Sequence, residues 1–154
     1  MRALAAAALI LGLACASQSN LPPRESFTGG PELDLARLTS LSGDFYDRLE
    51  NRRFNSLATF QDPGLREFFR TRESYSDYYA ELAFELDTAR FEASRPTQVV
   101  VEEVVRESAR QVRLRIRFTG ENGLPLRWWT IDLVREDVWE VDEAGRWWIV
   151  PGKV

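Results

Sequence analysis

The chain has 154 residues, with 20 basic side chains, 24 acidic side chains and no histidine. The missing histidine excludes His-based acid–base catalysis, Ser-His-Asp triads and His-ligated metals. A net charge of −4, with arginines scattered along the chain, argues against binding to nucleic acid.

The N-terminus has the features of an export signal. Met1 and Arg2 form a short positive region, and residues 3–14 (ALAAAALILGLA) form an apolar run. That run is too short for a membrane-spanning helix but suits a signal peptide. We therefore expect the protein to be exported.

Two cleavage sites compete around Cys15. Residues 14–16 (ACA) fit ordinary signal peptidase, which would release a soluble periplasmic or secreted protein. Residues 12–15 (GLAC) resemble a bacterial lipobox, although Gly12 stands where lipoproteins usually carry Leu, Val or Ile. Cys15 is the only cysteine, so it cannot form an internal disulfide. Lipidation accounts for Cys15 directly and predicts attachment to the periplasmic side of a bacterial membrane.

The rest of the chain divides into a tether and one domain. Residues 16–32 are rich in Ser, Pro and Gly and lack apolar periodicity, a composition typical of a flexible linker. The predicted boundaries are 1–15 for the signal peptide with its lipobox, 16–32 for the linker and 33–154 for the folded domain. A domain of that size buries enough surface to fold without a disulfide or a metal.

The first half of the domain predicts helices. Apolar residues recur at helical spacing and form one face of a first helix: Leu38, Leu41, Phe45 and Leu49. Asp62 then suits the cap of a second helix and Pro63 its first turn. A third helix begins near Ser74 or Ser76. Its apolar stripe consists of Tyr75, Tyr78, Tyr79, Leu82 and Leu86.

The second half predicts a sheet. Residues 98–105 (QVVVEEVV) are rich in β-branched side chains, which favours a first long strand. Residues 111–118 (QVRLRIRF) alternate strictly, which indicates one buried face and one face toward water or a partner. Asn122-Gly123 predicts a tight hairpin turn before a third strand over residues 126–134.

Residues 137–150 predict a final hairpin that turns at residues 142–145. The predicted fold class is α+β, with N-terminal helices packed on a strongly bent antiparallel sheet of about four long strands. The pattern also allows a short extra strand near residues 90–93.

The end of the chain resembles the terminal hairpin of the nuclear transport factor 2-like superfamily. That hairpin often reads Trp-x-Val, an acidic turn, Gly, and x-Trp-x-Ile, and residues 139–149 here read WEVDEAGRWWI. Residues 45–60 also look like the superfamily's first helix and the segment after it, so the similarity covers about residues 38–150. The resemblance implies a cone-like half-barrel with a cavity at its open end.

The resemblance does not by itself assign an activity. Some members are isomerases, dehydratases or cyclases that use Asp, His or Tyr in the cavity, whereas others bind ligands, dimerise or support secretion machinery. The dehydratase-like His–Asp pair is excluded here. Tyr46, Asp77 and Asp132 are residue types that an isomerase-like site needs, but they form no motif of fixed spacing. Neighbouring acidic residues such as Glu136 and Asp137 point to opposite faces of a strand and make poor metal ligands, so we predict no catalytic residue, metal site or cofactor.

All five tryptophans lie within residues 126–150. We expect six aromatic side chains to line the cavity: Tyr46, Tyr78, Tyr79, Trp129, Trp139 and Trp147. The outer sheet face is expected to carry the candidate interface residues Arg113, Arg115, Arg117, Trp128 and Trp148. The plainer interpretation of the arginine row is a solvated face paired with Glu103 or Asp132, and the alternative is a surface for a protein partner or a second copy.

The sequence therefore favours a non-catalytic role, in which an envelope protein binds a partner protein or a small apolar ligand. The alternative is an enzyme of the isomerase or dehydratase type, acting on a small hydrophobic substrate in the cone. A cavity filled by aromatic side chains would exclude that enzyme. The expected partners are a membrane, through a lipid on Cys15, and a protein or a second copy of the chain on the outer sheet face.

Overall fold

A computed structural model describes residues 34–152 of the chain. Cys15, the predicted signal peptide and the predicted linker lie outside these residues. Four helices precede four strands in the described part: α1 Leu35–Leu49, α2 Leu57–Phe60, α3 Pro63–Arg66, α4 Arg72–Thr88, β1 Phe91–Arg106, β2 Gln111–Asn122, β3 Thr130–Val141 and β4 Trp147–Val150. The strands form one curved antiparallel sheet in the order β1-β2-β3-β4, so the predicted α+β class is confirmed.

Side-chain caps mark where α3 and α4 begin. Asp62 accepts a hydrogen bond from the Gly64 amide at 2.8 Å with Pro63 in the first turn, as predicted. Thr71 caps α4 by accepting from the Ser74 amide at 3.1 Å. The helix therefore begins at Arg72, slightly before the serines that the sequence suggested, because a threonine hydroxyl satisfies the free amides of the first turn.

The apolar stripes of α1 and α4 pack against the inner face of the sheet. The buried residues of α1 are Leu38, Ser42, Phe45, Tyr46 and Leu49. Those of α4 are Tyr75, Tyr78, Leu82 and Leu86. Opposite them, alternate residues of β2 are fully buried: Val112, Leu114, Ile116 and Phe118. The helix faces, which repeat every 3.6 residues, and the strand face, which repeats every 2, thus pack against each other in one core.

Strand β1 bends the sheet around the helices. Ala93 and Ser94 have positive φ angles of 53° and 47°, and the pairing with β2 shifts register near Pro96 and again between Val101 and Glu103. Such irregularities bend a strand and increase its twist. The optional short strand near residues 90–93 is the start of this long bent strand and not a separate element.

The connection between β2 and β3 differs from the predicted Asn-Gly hairpin. Strand β2 continues to Asn122, and β3 begins only at Thr130. The Gly123 amide donates to the Arg90 carbonyl at 2.8 Å, which draws the chain along β1, and the positive φ of 62° falls on Leu126. Residues 126–129 therefore lie in a loop and not in a strand.

The final hairpin turns where the acidic segment predicts. The Asp142 carboxylate accepts from the amides of Ala144 and Arg146, each at 2.9 Å, and Gly145 has a φ of 75°. At the far side, the Ile149 amide donates to the Phe68 carbonyl at 3.0 Å. This bond ties the edge strand β4 to the segment between α3 and α4.

Gly120 tests the packing at the bend of β1, and Gly43 in α1 serves as its control. A methyl group on Gly120 would overlap the Phe91 ring and come within 2.9 Å of the Arg95 carbonyl oxygen. Gly120→Ala should lower the free energy of unfolding by about 1–3 kcal/mol through overpacking. Gly43, inside α1, has no atom within 4 Å of the same position, so Gly43→Ala should raise it by about 0.5–1 kcal/mol. Urea unfolding measures both, and a similar shift in both variants would contradict this account.

Candidate functional site

A buried carboxylate lies at the centre of the domain. Asp137, on the inner face of β3, is 3% exposed. Its Oδ2 accepts hydrogen bonds from the hydroxyls of Tyr46 and Tyr78, both at 2.8 Å. Its Oδ1 accepts from Nε of Arg135 at 2.8 Å. Nε1 of Trp139 in turn donates to the Tyr46 hydroxyl at 3.2 Å, so three elements contribute to one network.

The periodicities of the elements bring these groups together. Arg135, Asp137 and Trp139 are alternate residues of β3 and share its inner face. Tyr46 is on the buried stripe of α1 and Tyr78 on that of α4. Both helices pack on the inner face of the sheet, and the hydroxyls of Tyr46 and Tyr78 converge on Oδ2 of Asp137.

The network continues outward through Arg135. Its Nη1 donates to Oε2 of Glu85 at 2.7 Å and its Nη2 to Oε2 of Glu81 at 3.4 Å. The guanidinium also lies 4.8 Å from the centre of the Tyr78 ring. The arginine side chain is buried, whereas both glutamates are partly exposed at the edge of an open depression.

Burial and charge determine the protonation of this network. Burial raises the pKa of the Tyr46 and Tyr78 hydroxyls well above its ordinary value, and the nearby Asp137 carboxylate raises it further. Burial alone would lower the pKa of Arg135, but its acidic neighbours outweigh that effect and raise it. Both tyrosines therefore act as hydrogen-bond donors and the guanidinium stays charged.

This arrangement engages both oxygens of the Asp137 carboxylate in hydrogen bonds within the protein. A general base needs hydrogen-bond reach to the proton that it removes. Both oxygens of Asp137 already accept bonds from protein donors, and the side chain is 1% exposed. The group instead holds α1, α4 and β3 together.

The structure brings three of the six predicted cavity residues into this network: Tyr46, Tyr78 and Trp139. Tyr79 is partly buried, and its hydroxyl donates to the carbonyls of Phe54 and Ser56 at 2.6 and 3.0 Å. Trp147 is buried in the core without a bond to the network. Trp129 does not lie in the interior. It is 54% exposed because β3 begins after it.

Sequence reasoning missed Arg135 and Asp137 as members of the site. Glu136 and Asp137 do diverge on the strand, as expected, but Asp137 points into the core and not toward water. A signal was available, because Asp137 lies two residues before Trp139, a predicted cavity residue, and alternate residues of a strand share one face. A charged residue on an apolar face indicates a buried partner.

The outer face of β2 carries the predicted arginine row, whose members are Arg113, Arg115 and Arg117. Arg113 donates to Glu136 at 2.8 Å. Arg117 donates to Glu102 at 2.6 Å and to Asp132 at 3.0 Å. Glu102 takes the place expected for Glu103, because the strand shifts register at this point. Such exposed pairs contribute little to stability, and they neutralise the row.

The two remaining predicted interface residues have different surroundings. Trp148 is half-buried on β4; its Nε1 donates to Asp142 at 3.0 Å, and the Arg146 guanidinium lies 5.1 Å from its ring centre. These contacts, with the backbone amides of the turn, lower the pKa of Asp142 to about 2. Trp128 is 86% exposed.

The surface of the domain carries an exposed loop beside a cavity and a separate apolar groove. Residues 124–129, called the tryptophan loop below, expose Leu126, Trp128 and Trp129 and border a cavity of about 450 Å³. A second, more apolar groove of about 270 Å³ lies between α1 and β1. It is lined by apolar residues that include Leu38, Val99, Val100, Val104 and Leu114.

No helix within residues 34–152 is long and apolar enough to cross a membrane. Across that same range, no group of three or more His, Cys, Asp and Glu side chains is placed to hold a metal ion.

No protein-family model matches the chain, and neither a curated protein nor a solved structure is significantly similar to it.

The hydroxyls of the network should stabilise the fold more than an ordinary tyrosine hydroxyl. Tyr46→Phe and Tyr78→Phe each remove a bond to a buried carboxylate, and each should cost about 1.5–3 kcal/mol of unfolding free energy. Tyr75→Phe is the matched control, because its buried hydroxyl donates to the neutral Thr59 carbonyl at 3.0 Å; it should cost about 0.5–1.5 kcal/mol. Urea unfolding measures all three. Equal losses in the three variants would show that the charge of Asp137 adds nothing.

Proposed function

We propose that this protein is an exported, lipid-anchored component of a bacterial cell envelope, whose domain has a non-catalytic binding role. The observation that carries the proposal is the filled interior. Where an enzyme of this shape would hold its substrate, Tyr46, Tyr78 and Trp139 are at most 2% exposed and pack around Asp137. Binding is therefore assigned to the surface.

We further propose that the domain is nuclear transport factor 2-like. The order of elements, helices first and then a curved antiparallel sheet of four strands, is compatible with a cone-like fold. The last hairpin, with Trp139 and Val141 facing inward before an acidic turn and Trp147 and Ile149 facing inward after it, supports the same assignment.

The tryptophan loop is the favoured binding surface. Exposed apolar patches with polar borders often mark contact sites, and tryptophan is enriched where proteins bind each other. Trp128 has most of its indole in water, which forgoes the stabilisation that burial would bring. The arginine row is less suited to this role, because its guanidinium groups are paired with carboxylates.

The enzymatic alternative retains one supporting observation. Two tyrosines and an aspartate converge at hydrogen-bonding distance, which are the residue types of an isomerase-like site. Their donors and acceptors are satisfied by one another, and Asp137 is buried. We therefore favour the binding role.

The lipid anchor is tested by metabolic labelling with a fatty-acid analogue. The wild-type chain should incorporate the label and Cys15→Ser should not, because Cys15 is the only cysteine available for acylation. Labelling of Cys15→Ser, or absence of labelling in the wild type, would contradict the lipoprotein assignment.

The binding role is tested by photo-crosslinking in living cells. A benzoylphenylalanine placed at position 126, where Leu126 is 80% exposed in the same loop and Trp128 is kept, should give a discrete crosslinked adduct on a denaturing gel. The same group at position 84 should not, although Phe84 on α4 is also largely exposed. Tyr78→Phe, in a chain that still folds, should leave the adduct unchanged because the network does not reach that surface. Loss of the adduct in folded Tyr78→Phe, or no adduct at position 126, would argue against the proposed role.

A further inference from the structure

The tryptophan loop has a defined shape although it lies outside the core. The Leu124 amide donates to the Asn122 side chain at 2.9 Å, and the Arg127 amide donates to the Leu124 carbonyl at 3.3 Å. Leu126 adopts a positive φ, a conformation that is uncommon for a residue with a side chain. These features hold Trp128 and Trp129 away from the core and on the surface.

Two carboxylates lie beside the indoles. Glu92, at the start of β1, and Glu121, at the end of β2, line the cavity of about 450 Å³ together with Trp128 and Trp129. The pKa of Glu92 is raised because the Glu121 carboxyl is within hydrogen-bonding reach and because the two groups repel each other. Among residues 34–152, neither carboxylate has a cationic partner within ion-pair distance. The outer face of β2, by contrast, pairs each arginine with an acid.

The chain itself shows what kind of group the indoles accept. The Arg127 guanidinium lies 5.5 Å from the centre of the Trp129 ring, within the range of a cation–π contact. In the described part of the chain, no cation lies over the Trp128 ring. The Trp129 indole is thus supplied with a cation from within the loop, whereas the exposed Trp128 indole lines the cavity without one.

We propose that Trp128, Glu92 and Glu121 bind an arginine- or lysine-bearing segment of a partner protein. This inference deepens the proposed binding role and rests on it. The cationic group lies against the Trp128 ring, where cation–π attraction holds it, and its N–H groups donate to the two carboxylates in charge-assisted bonds. The same cation relieves the repulsion between Glu92 and Glu121.

A lipid surface is the competing occupant, because exposed tryptophans are also common at membrane interfaces. The carboxylates favour the protein segment. Insertion of the loop into a bilayer would bring Glu92 and Glu121 toward the headgroups, where anionic lipids repel them and burial removes their water. A basic peptide gains from the same two charges.

The test uses the exported protein carrying Cys15→Ser, so that no acyl chain contributes to binding. Calorimetric titration with a short arginine-containing peptide should show saturable binding that weakens as salt screens the charges. The same peptide with citrulline in place of arginine should bind roughly tenfold more weakly or not at all, since it lacks the cation. Vesicles of zwitterionic and of anionic phospholipid form the second arm.

Matched variants identify the groups responsible. Trp128→Ala, and the double change Glu92→Gln with Glu121→Gln, should each weaken peptide binding roughly tenfold. Phe84→Ala and Glu143→Gln remove an exposed ring and an exposed carboxylate elsewhere, and they should leave binding unchanged. All these positions are exposed, so each variant should keep the fold, which circular dichroism checks.

Each outcome decides the proposal. Equal binding of the arginine and citrulline peptides, or no binding of either, overturns it. Vesicle binding that requires Trp128 without peptide binding also overturns it, and assigns the loop to a lipid surface. A negative labelling result at Cys15 or a crosslink that depends on Tyr78 bears on the broader proposal and leaves the peptide titration unaffected.

Discussion

The Asp137 carboxylate is the group on which the arrangement of the domain depends. An ionised carboxylate without partners is very costly to bury, so the core is stable only when its donors are present. Those donors come from α1, α4 and β3 itself. The position of both helices over the sheet is therefore limited by the length of a hydrogen bond as well as by apolar packing. Because the two tyrosines that satisfy the carboxylate also occupy the interior, the interaction that stabilises the fold also closes it.

Local pattern was sufficient to predict the elements whose environment depends on their own sequence. The alternation of β2 corresponds to its buried residues, and so do the stripes of α1 and α4 except at Leu41 and Tyr79, which are partly buried at the margin of the core. The helix cap at Asp62 and the acidic turn after Val141 are likewise short-range features, and each is found where the residues suggest. In these cases the sequence pattern and the structural feature that it predicts involve the same few residues.

Prediction failed where the outcome depends on distant contacts. Asn122-Gly123 favours a tight turn by itself, but a backbone bond from Gly123 to Arg90 extends the strand pairing and displaces the turn. Trp129 was assigned to the interior on the assumption that the strand had already begun. The buried network is the most distant case, because Tyr46 and Asp137 are 91 residues apart. The alternation of β3 places Asp137 on the inner face, but no local pattern reveals that its partners are tyrosines from two separate helices.

The outer surface is electrostatically uneven in a way that total charge conceals. On β2, each arginine has an acidic neighbour on an adjacent strand, so this face is nearly neutral. At the end of the sheet beside the tryptophan loop, Glu92 and Glu121 are adjacent; Arg95 and Arg53 act on Glu92 from a distance, but among residues 34–152 neither acid forms an ion pair. The arginine row, which is prominent in the sequence, is thus the part of the sheet whose charges are paired. Glu92 and Glu121 are 29 positions apart in sequence but adjacent across β1 and β2, and their charges are not paired.

The Asp142 turn has a consequence for the conditions in which the domain keeps its shape. Its carboxylate has a pKa lowered to about 2 from an ordinary value of 3.8. The stability that it contributes is therefore complete above the ordinary value and is lost only as the pH falls through about 2. At the alkaline end, the raised pKa of Tyr46 and Tyr78 delays the loss of their protons, and the chain has no histidine to titrate between these limits. The Asp142 carboxylate and the hydroxyls of Tyr46 and Tyr78 thus keep their protonation states over a wide pH range.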